Sequence, residues 1–374
     1  MKRMIALAAA LLLCLSTATA EGLPPLGEDE AVASLPGKQW ALHSLNGLVT
    51  DKITQITGEN TANKTLSRFG VWGTDLGSMA ELDGKVYMFG GDTFASESNA
   101  NWRSNVLFFI EDEDPSDGLT ITGAVTDRRG IAKELLRSLK VDHKEMTVIP
   151  TNLFAANGKL YCVYMSVSHW GDAGKWDTRY SGLAVSEDSG ETWKKLSSVQ
   201  GPGDSGFIQT ANAQIGQTMY FWAIPAGRFG GVYLMKAPVD KLEEFSAYSY
   251  YTGLDETGAP SWQQGDEGIQ NAALVIEAPA GEISVIYNEY LGNFIITYLN
   301  ERKAAIVMRE GVTPWGEFSQ ETVLAKSSDY PALYGAYMLP KYVENKGQSF
   351  YFAMSQFFPV YNIMWMRTTL PWTE

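Results

Sequence analysis

Two aspartates, Asp75 and Asp92, have the residue type and spacing to do chemistry together. They end two runs of strand-like composition that flank Asp83-Gly84, a strong short-range hairpin signal. A two-residue turn sets Leu82 opposite Lys85, and counting outward sets Asp75 opposite Asp92. Directly opposed residues share a face, with Cβ atoms roughly 5 Å apart. Two like charges at that range repel, so a fold that keeps them accepts a cost. Paired carboxylates are also what glycoside hydrolysis uses. Gly90-Gly91 is the expected weak point, because a bulge there shifts the register. The structural alternative is that both aspartates cap turns or accept backbone N–H bonds.

The elements that must position this pair recur along the chain. Units of roughly 65 residues each read as a strand, a turn, an aromatic-rich apolar strand, a loop and one or two further strands. The expected inner pairs are 75–82 with 86–91, 151–156 with 160–167, 209–215 with 218–224, 271–277 with 282–287, and 334–342 with 349–355. The fold class is therefore all-β, a five-bladed β-propeller, with a large β-sandwich as the alternative. Residues 39–48 are expected to complete the last blade, and 130–139 reads as one short helix.

In a propeller, the first strand of each blade starts at the channel end where the second strand finishes. First-strand starts offer Asp75, Asn152, Gln209 with Asn212, and Asn271; second-strand ends offer Asp92, His169-Trp170, Arg228, Asn288-Glu289 and Gln356. One mouth gathering these groups would suit a sugar: carboxylates for chemistry, amides for hydroxyls, aromatic faces for stacking. The expected catalytic residues are Asp75, Asp92 and Glu289; the expected substrate-binding residues are Asn152, His169, Trp170, Asn212, Arg228, Asn271, Asn288 and Gln356. Each has a plainer reading: Glu289 as a solvated turn residue, His169 as an ordinary loop histidine, Arg228 as a brace between loops.

The segment Ser186-Glu187-Asp188-Ser189-Gly190-Glu191-Thr192-Trp193 matches the S-x-D-x-G-x-x-W Asp-box of sialidases and other propellers. It speaks to architecture, not chemistry, and Asp188 reads as structural.

Composition bounds the compartment and the partners. Met1-Lys2-Arg3, an apolar run to Leu15 and Ala18-Thr19-Ala20 form a signal peptide pattern over 1–20, followed by a flexible leader over 21–35 and a single propeller domain over 36–374. The expected mature protein is exported, without a membrane anchor, and a monomer. Beyond the signal, the one cysteine is Cys162, in an apolar run that reads as core. Loss of Lys2 and Arg3 takes the net charge from −14 to −16, which argues against nucleic acid or an anionic membrane as partner. No HExxH, paired CxxC or G-x-S-x-G motif is present, so the sequence points to neither a zinc site nor a serine triad.

Gly73-Thr74-Asp75-Leu76-Gly77, Gly90-Gly91-Asp92-Thr93 and Tyr287-Asn288-Glu289-Tyr290-Leu291-Gly292 together resemble the family called domain of unknown function 4185, over roughly residues 67–370. The resemblance implies a five-bladed propeller related to arabinanase- and sialidase-type hydrolases. Some members are classed as glycoside hydrolase family 183, endo-acting D-arabinanases that cut furanose polymers of mycobacterial cell walls. Two aspartates near the start of the domain are implicated in catalysis there, and by motif they fall on Asp75 and Asp92.

The sequence thus supports a secreted glycoside hydrolase acting on a polysaccharide, an arabinofuranose polymer being the first candidate. A non-catalytic carbohydrate-binding propeller is the alternative, and a sialidase ranks third: Arg68, Arg103, Arg179 and Arg228 are present, but no FRIP-like motif precedes the Asp-box and only one Asp-box is evident. No cofactor is required, although the acids and amides have the donor chemistry for a calcium or sodium ion in the channel.

Overall fold

The Asp83-Gly84 turn forms as its chemistry dictates. Both residues take positive φ (52° and 78°), and Leu82 pairs with Lys85. Pairing is regular up to Ser78 opposite Phe89. There the first strand bulges at Leu76 (φ 65°) and Gly77 (φ 94°). Glycine is needed at 77 because a Cβ would press on Ala353 and Ile363 of another sheet. Gly91 consequently bonds to the Asp75 carbonyl, at 3.1 Å. Gly73 and Phe94 then pair in the original register, so the compensating residue lies at Asp92-Thr93. Asp75 therefore faces Gly91 and not Asp92, and the primary bulge is on the first strand, not at Gly90-Gly91.

The computed structural model describes residues 28–372; the expected signal peptide and residues 21–27 lie outside them. Within the stretch expected as leader, Glu28–Ala33 is a helix whose Val32 is fully buried against strands near 220 and 285.

All strand pairs are antiparallel. One four-stranded sheet holds Leu76–Leu82, Lys85–Gly90, Val106–Ile110 and Ile121–Ala124. A second holds Thr147–Ala156, Lys159–Trp170, Trp176–Ser186 and Lys194–Pro202. A ten-stranded sheet begins with Gln209–Ile215, Thr218–Ile224 and Gly230–Pro238, then continues through Leu274–Asn288, Asn293–Asn300 and Ala305–Thr313. The last sheet holds Leu333–Glu344, Ser349–Gln356, Asn362–Thr369 and, from the N-terminal side, Val49–Gln55. The strand completing it is thus Val49–Gln55, not residues 39–48. The strands beginning at Leu76, Thr147, Gln209, Leu274 and Leu333 pack against one another in order, and the last packs against the first.

Two further expectations are corrected. Residues 130–139 form no helix: Asn105 Oδ1 accepts from the Leu135 and Leu136 N–H groups, and Glu134 accepts from Ser138 N, so side chains satisfy the backbone instead. The pair 271–277 with 282–287 is one continuous strand, Leu274–Asn288. Its first half pairs with Gly230–Pro238 and its second with Asn293–Asn300, so Ala280-Gly281 is a crossing point between partners and not a turn.

The turn at 186–193 is held by Ser186 to Asp188 (2.8 Å), Gly190 N to Ser186 (2.9 Å) and Thr192 N to Asp188 (2.9 Å). Trp193 lies 5.1 Å from the ring of Phe89 in the neighbouring sheet. Cys162 is buried, as its apolar run leads one to expect.

Trp222 links two parts of the ten-stranded sheet. It is fully buried, packs on Phe294 at 5.7 Å and donates to the Pro314 carbonyl at 3.0 Å. Trp222→Ala is expected to cost about 3–5 kcal/mol, read as a lowered urea midpoint.

Candidate functional site

Where the five leading strands start, a cavity of about 950 Å³ opens between the sheets. The leading strands contribute Asp75, Thr151, Gln209 and Tyr334 from near their starts and Glu282 from just past the change of partner in Leu274–Asn288; second-strand ends and the loops after them contribute Asp92, Trp170, Arg228, Glu301 and Phe357. The paired hydroxyls of Thr74 and Thr93, 2.8 Å apart and buried, fasten together the two strand ends that carry the aspartates.

Asp75 Oδ2 accepts from the Tyr334 hydroxyl at 2.8 Å, while Oδ1 is buried without a hydrogen-bond partner. Burial, and then the neighbouring charge of Asp92, push the Asp75 carboxyl up to about 7, against hydrogen bonding from Tyr334 and Tyr361. Asp92 Oδ1 accepts from Trp102 Nε1 and Thr147 Oγ1, both at 2.7 Å. Burial pushes it up to about 6, with those two donors and Lys140 resisting. Replacing Gly91 would drive a Cβ into Asp75 Oδ1, so the close approach requires glycine there.

A third carboxylate, Glu282, is 4% exposed and raised by burial against the opposing pull of Arg228. Arg228 grips Glu282 Oε1 through Nε and a terminal nitrogen, both at 2.8 Å, and reaches Glu301 at 3.6 Å. Its guanidinium also lies 4.4 Å from the Tyr334 ring centre. Glu282 Oε2 is buried and unpartnered, like Asp75 Oδ1.

Of the residues expected from sequence, the cavity brings together Asp75, Asp92, Trp170 and Arg228. Asn152, Asn212, Asn288 and Glu289 line a separate cavity of about 540 Å³. There Asn152 bonds to Asn212 at 3.0 Å, and Asn288 bonds to the Gly347 carbonyl and the Leu291 N–H. Glu289 falls in the turn between Leu274–Asn288 and Asn293–Asn300, at the far end from Asp75. The displacement follows from reading the fourth unit one strand too early. Asn271 follows the helix Gly265–Gln270, bonds Gln263 at 2.9 Å and lines neither cavity. Gln356 is buried at the end of its strand, and its neighbour Phe357 lines the main cavity instead. His169 bonds Asp142 at 2.8 Å and stacks on His143, outside the cavity lining. Among the described residues, the channel acids form no group of three close enough to share one ion.

Sequence reasoning missed Glu282, Glu301, Tyr334 and Tyr361. A signal for Glu282 was present. Ser78 and Ser284 each accept a backbone N–H from a neighbouring leading strand, at Leu153 and Met338 respectively. Glu282 precedes its serine by two residues and Asp75 by three, the difference being the bulge residue.

Both aspartates hold protons more tightly in the fold than in an unfolded chain, where an aspartate titrates near 3.8. The stability they contribute is present below about 3.8 and is lost as pH rises through about 6 and about 7. Asp75→Asn keeps an acceptor for Tyr334 without the charge. Its melting temperature is expected to exceed that of wild type at pH 8, with the difference shrinking by pH 5. An equal gap at both pH values would show that no raised carboxyl sits at this position.

No curated protein matches the chain by sequence. Among solved structures, it is similar to a candidate hydrolase from Bacteroides ovatus ATCC 8483, at 13% identity, 92% of this chain and 96% of that one, with a TM-score of 0.60. It is also similar to an exo-β-1,3-galactanase from Phanerochaete chrysosporium solved with β-1,3-galactotriose, at 9% identity, 85% of this chain and 64% of that one, with a TM-score of 0.51. The GH43_1 enzyme from Xanthomonas citri matches at 12% identity, 92% of both chains, and a TM-score of 0.48. At these identities the first two likenesses show a shared fold. The sequence profile of DUF4185, a domain of unknown function, matches residues 60–367, and the chain belongs to that family.

Proposed function

We propose that the protein is a secreted glycoside hydrolase of a neutral polysaccharide, with an arabinofuranose polymer as first candidate, built on a five-bladed propeller. The observation that carries this reading is a pair of carboxyls, each held by neutral donors, that line one aromatic-walled cavity. Five leading strands packed in sequence support the blade count, with the ten-stranded sheet counted as two blades joined edge to edge. The bonds within 186–193 support a sialidase-type Asp-box. The signal pattern over 1–20 supports export.

In this reading Asp75, held near 7, carries a proton at neutral pH and gives it to the departing sugar oxygen. Asp92, fixed by Trp102 and Thr147, ionises first and serves as base or nucleophile. Glu282 adds a negative charge that helps keep Asp75 protonated, and Arg228 holds it in place. Trp170, Trp176 and Phe357 offer faces for sugar rings.

Charge favours a neutral glycan. The lining carries Asp75, Asp92, Glu97, Asp172, Glu282 and Glu301 against Lys175 and Arg228. Arg228 is already engaged by two glutamates, and Arg68 and Arg103 spend their donors on backbone carbonyls. That leaves no arginine cluster in the described lining for a sugar carboxylate, which counts against a sialidase.

The test is reducing-end release from arabinan, galactan and xylan by wild type, Asp75→Asn and Asp92→Asn. Each variant is expected to lose at least about 10²-fold in kcat with its fold intact. Wild-type activity should rise through about pH 6, as Asp92 ionises, and fall through about pH 7, as Asp75 loses its proton. Binding to a glycan without any release by wild type would establish the non-catalytic propeller instead.

A further inference from the structure

We propose that Asp142, His143 and His169 form a binding site for a borderline divalent transition metal such as zinc, on the rim beside the main cavity. Two of the chain's three histidines meet here, brought together from separate segments. His169 is the penultimate residue of the long strand Lys159–Trp170, and Asp142-His143 is the tip of a tight turn closed by Val141 and Glu145. His143 takes a left-handed φ of 58° and donates its N–H to the Ser168 carbonyl at 2.8 Å, which presents its ring over His169. Such a backbone conformation is uncommon outside glycine and fixes where the His143 side chain leaves the turn, while its ring can still rotate.

The donor atoms are already gathered. His169 Nδ1 lies 2.8 Å from Asp142 Oδ1, and His143 Nε2 lies 3.6 Å from Asp142 Oδ2. All three ligand atoms fall within 4.8 Å of one another. Donors around a tetrahedral zinc, bound at about 2.0–2.1 Å, need that kind of proximity. The imidazoles stack at 4.3 Å and 15°, so ligation requires the His143 ring to turn until its lone pair meets that of His169. At 74% exposure, that side chain has room to turn.

Two imidazoles and one carboxylate select zinc, nickel or copper over calcium or magnesium, which prefer oxygen ligands throughout. Three protein donors leave the remaining position to water. The ion would pin the 141–145 turn to the strand end that carries Trp170, whose side chain lines the main cavity. This site stands apart from Asp75 and Asp92, and its test does not depend on any glycan.

The experiment is titration of untagged protein with zinc chloride by calorimetry, with equilibrium dialysis giving the stoichiometry. Wild type is expected to bind about one equivalent, and His143→Ala and His169→Ala each to weaken that binding at least about tenfold. His43→Ala, which removes the histidine bonded to Glu310, serves as the control and should bind as wild type does. His143 is exposed and His169 half-buried, and unaltered melting temperatures of these two variants in the absence of zinc verify that they fold. The proposal fails if wild type takes up no zinc, or if both histidine variants retain its affinity. Calcium competing with zinc for these residues would overturn the metal class.

Discussion

Two half-buried carboxyls lining one cavity, with the charge of Asp92 felt at Asp75, cost free energy, and much of the surrounding structure consists of the means by which that cost is met. Asp75 holds its proton up to about 7 and Asp92 up to about 6, because burial disfavours their charged forms. The fold does not discharge them by pairing. It supplies neutral donors instead: Tyr334 for Asp75, Trp102 and Thr147 for Asp92. A neutral donor restrains a carboxyl in place without fixing its protonation state. Had Arg228 reached Asp75, the carboxyl would be pulled down towards the ordinary range. Arg228 is taken up by Glu282 and Glu301, while its guanidinium lies over the Tyr334 ring. Tyr334 thus stands between the Arg228 guanidinium and the Asp75 carboxyl.

The backbone serves the same end. The bulge at Leu76-Gly77 and its compensation at Asp92-Thr93 leave the outer and inner parts of the hairpin in one register while altering it between them. Bulges recur where a side chain has to be re-aimed. Here the altered segment is the one that bears both aspartates, and Gly91 yields the space that Asp75 Oδ1 occupies.

Much of this was legible in the sequence, for identifiable reasons. The Asp83-Gly84 turn marked one hairpin, because positive φ at both positions leaves few residue choices. The rule joining first-strand starts to second-strand ends picked out Asp75, Asp92, Trp170 and Arg228, which the fold brings to one cavity. It misplaced Glu289 because Leu274–Asn288 pairs with two different strands along its length. A strand of continuous apolar character that changes partners midway carries no local signal of where one pairing ends. The bulge was equally silent, since a glycine that relieves contact with Ala353 records a tertiary constraint and not a local one. The supposed helix at 130–139 failed for a related reason: Asn105 and Glu134 outcompete helical hydrogen bonding, and their reach is visible only in three dimensions.

The two cavities show why polarity alone misled the choice of amides. Asn152, Asn212 and Asn288 are as polar as any sugar-binding side chain, yet they bond to one another or to the backbone. A buried amide so occupied stabilises the scaffold and has less left to offer a ligand. At the other end, Asp75 Oδ1 and Glu282 Oε2 remain buried without a partner. Leaving a buried acceptor unsatisfied costs about 1–3 kcal/mol, so its persistence calls for an explanation in what enters the cavity. What separates Asp75 and Glu282 from these amides is unspent hydrogen-bonding capacity, and that is a property of the folded arrangement, not of residue type.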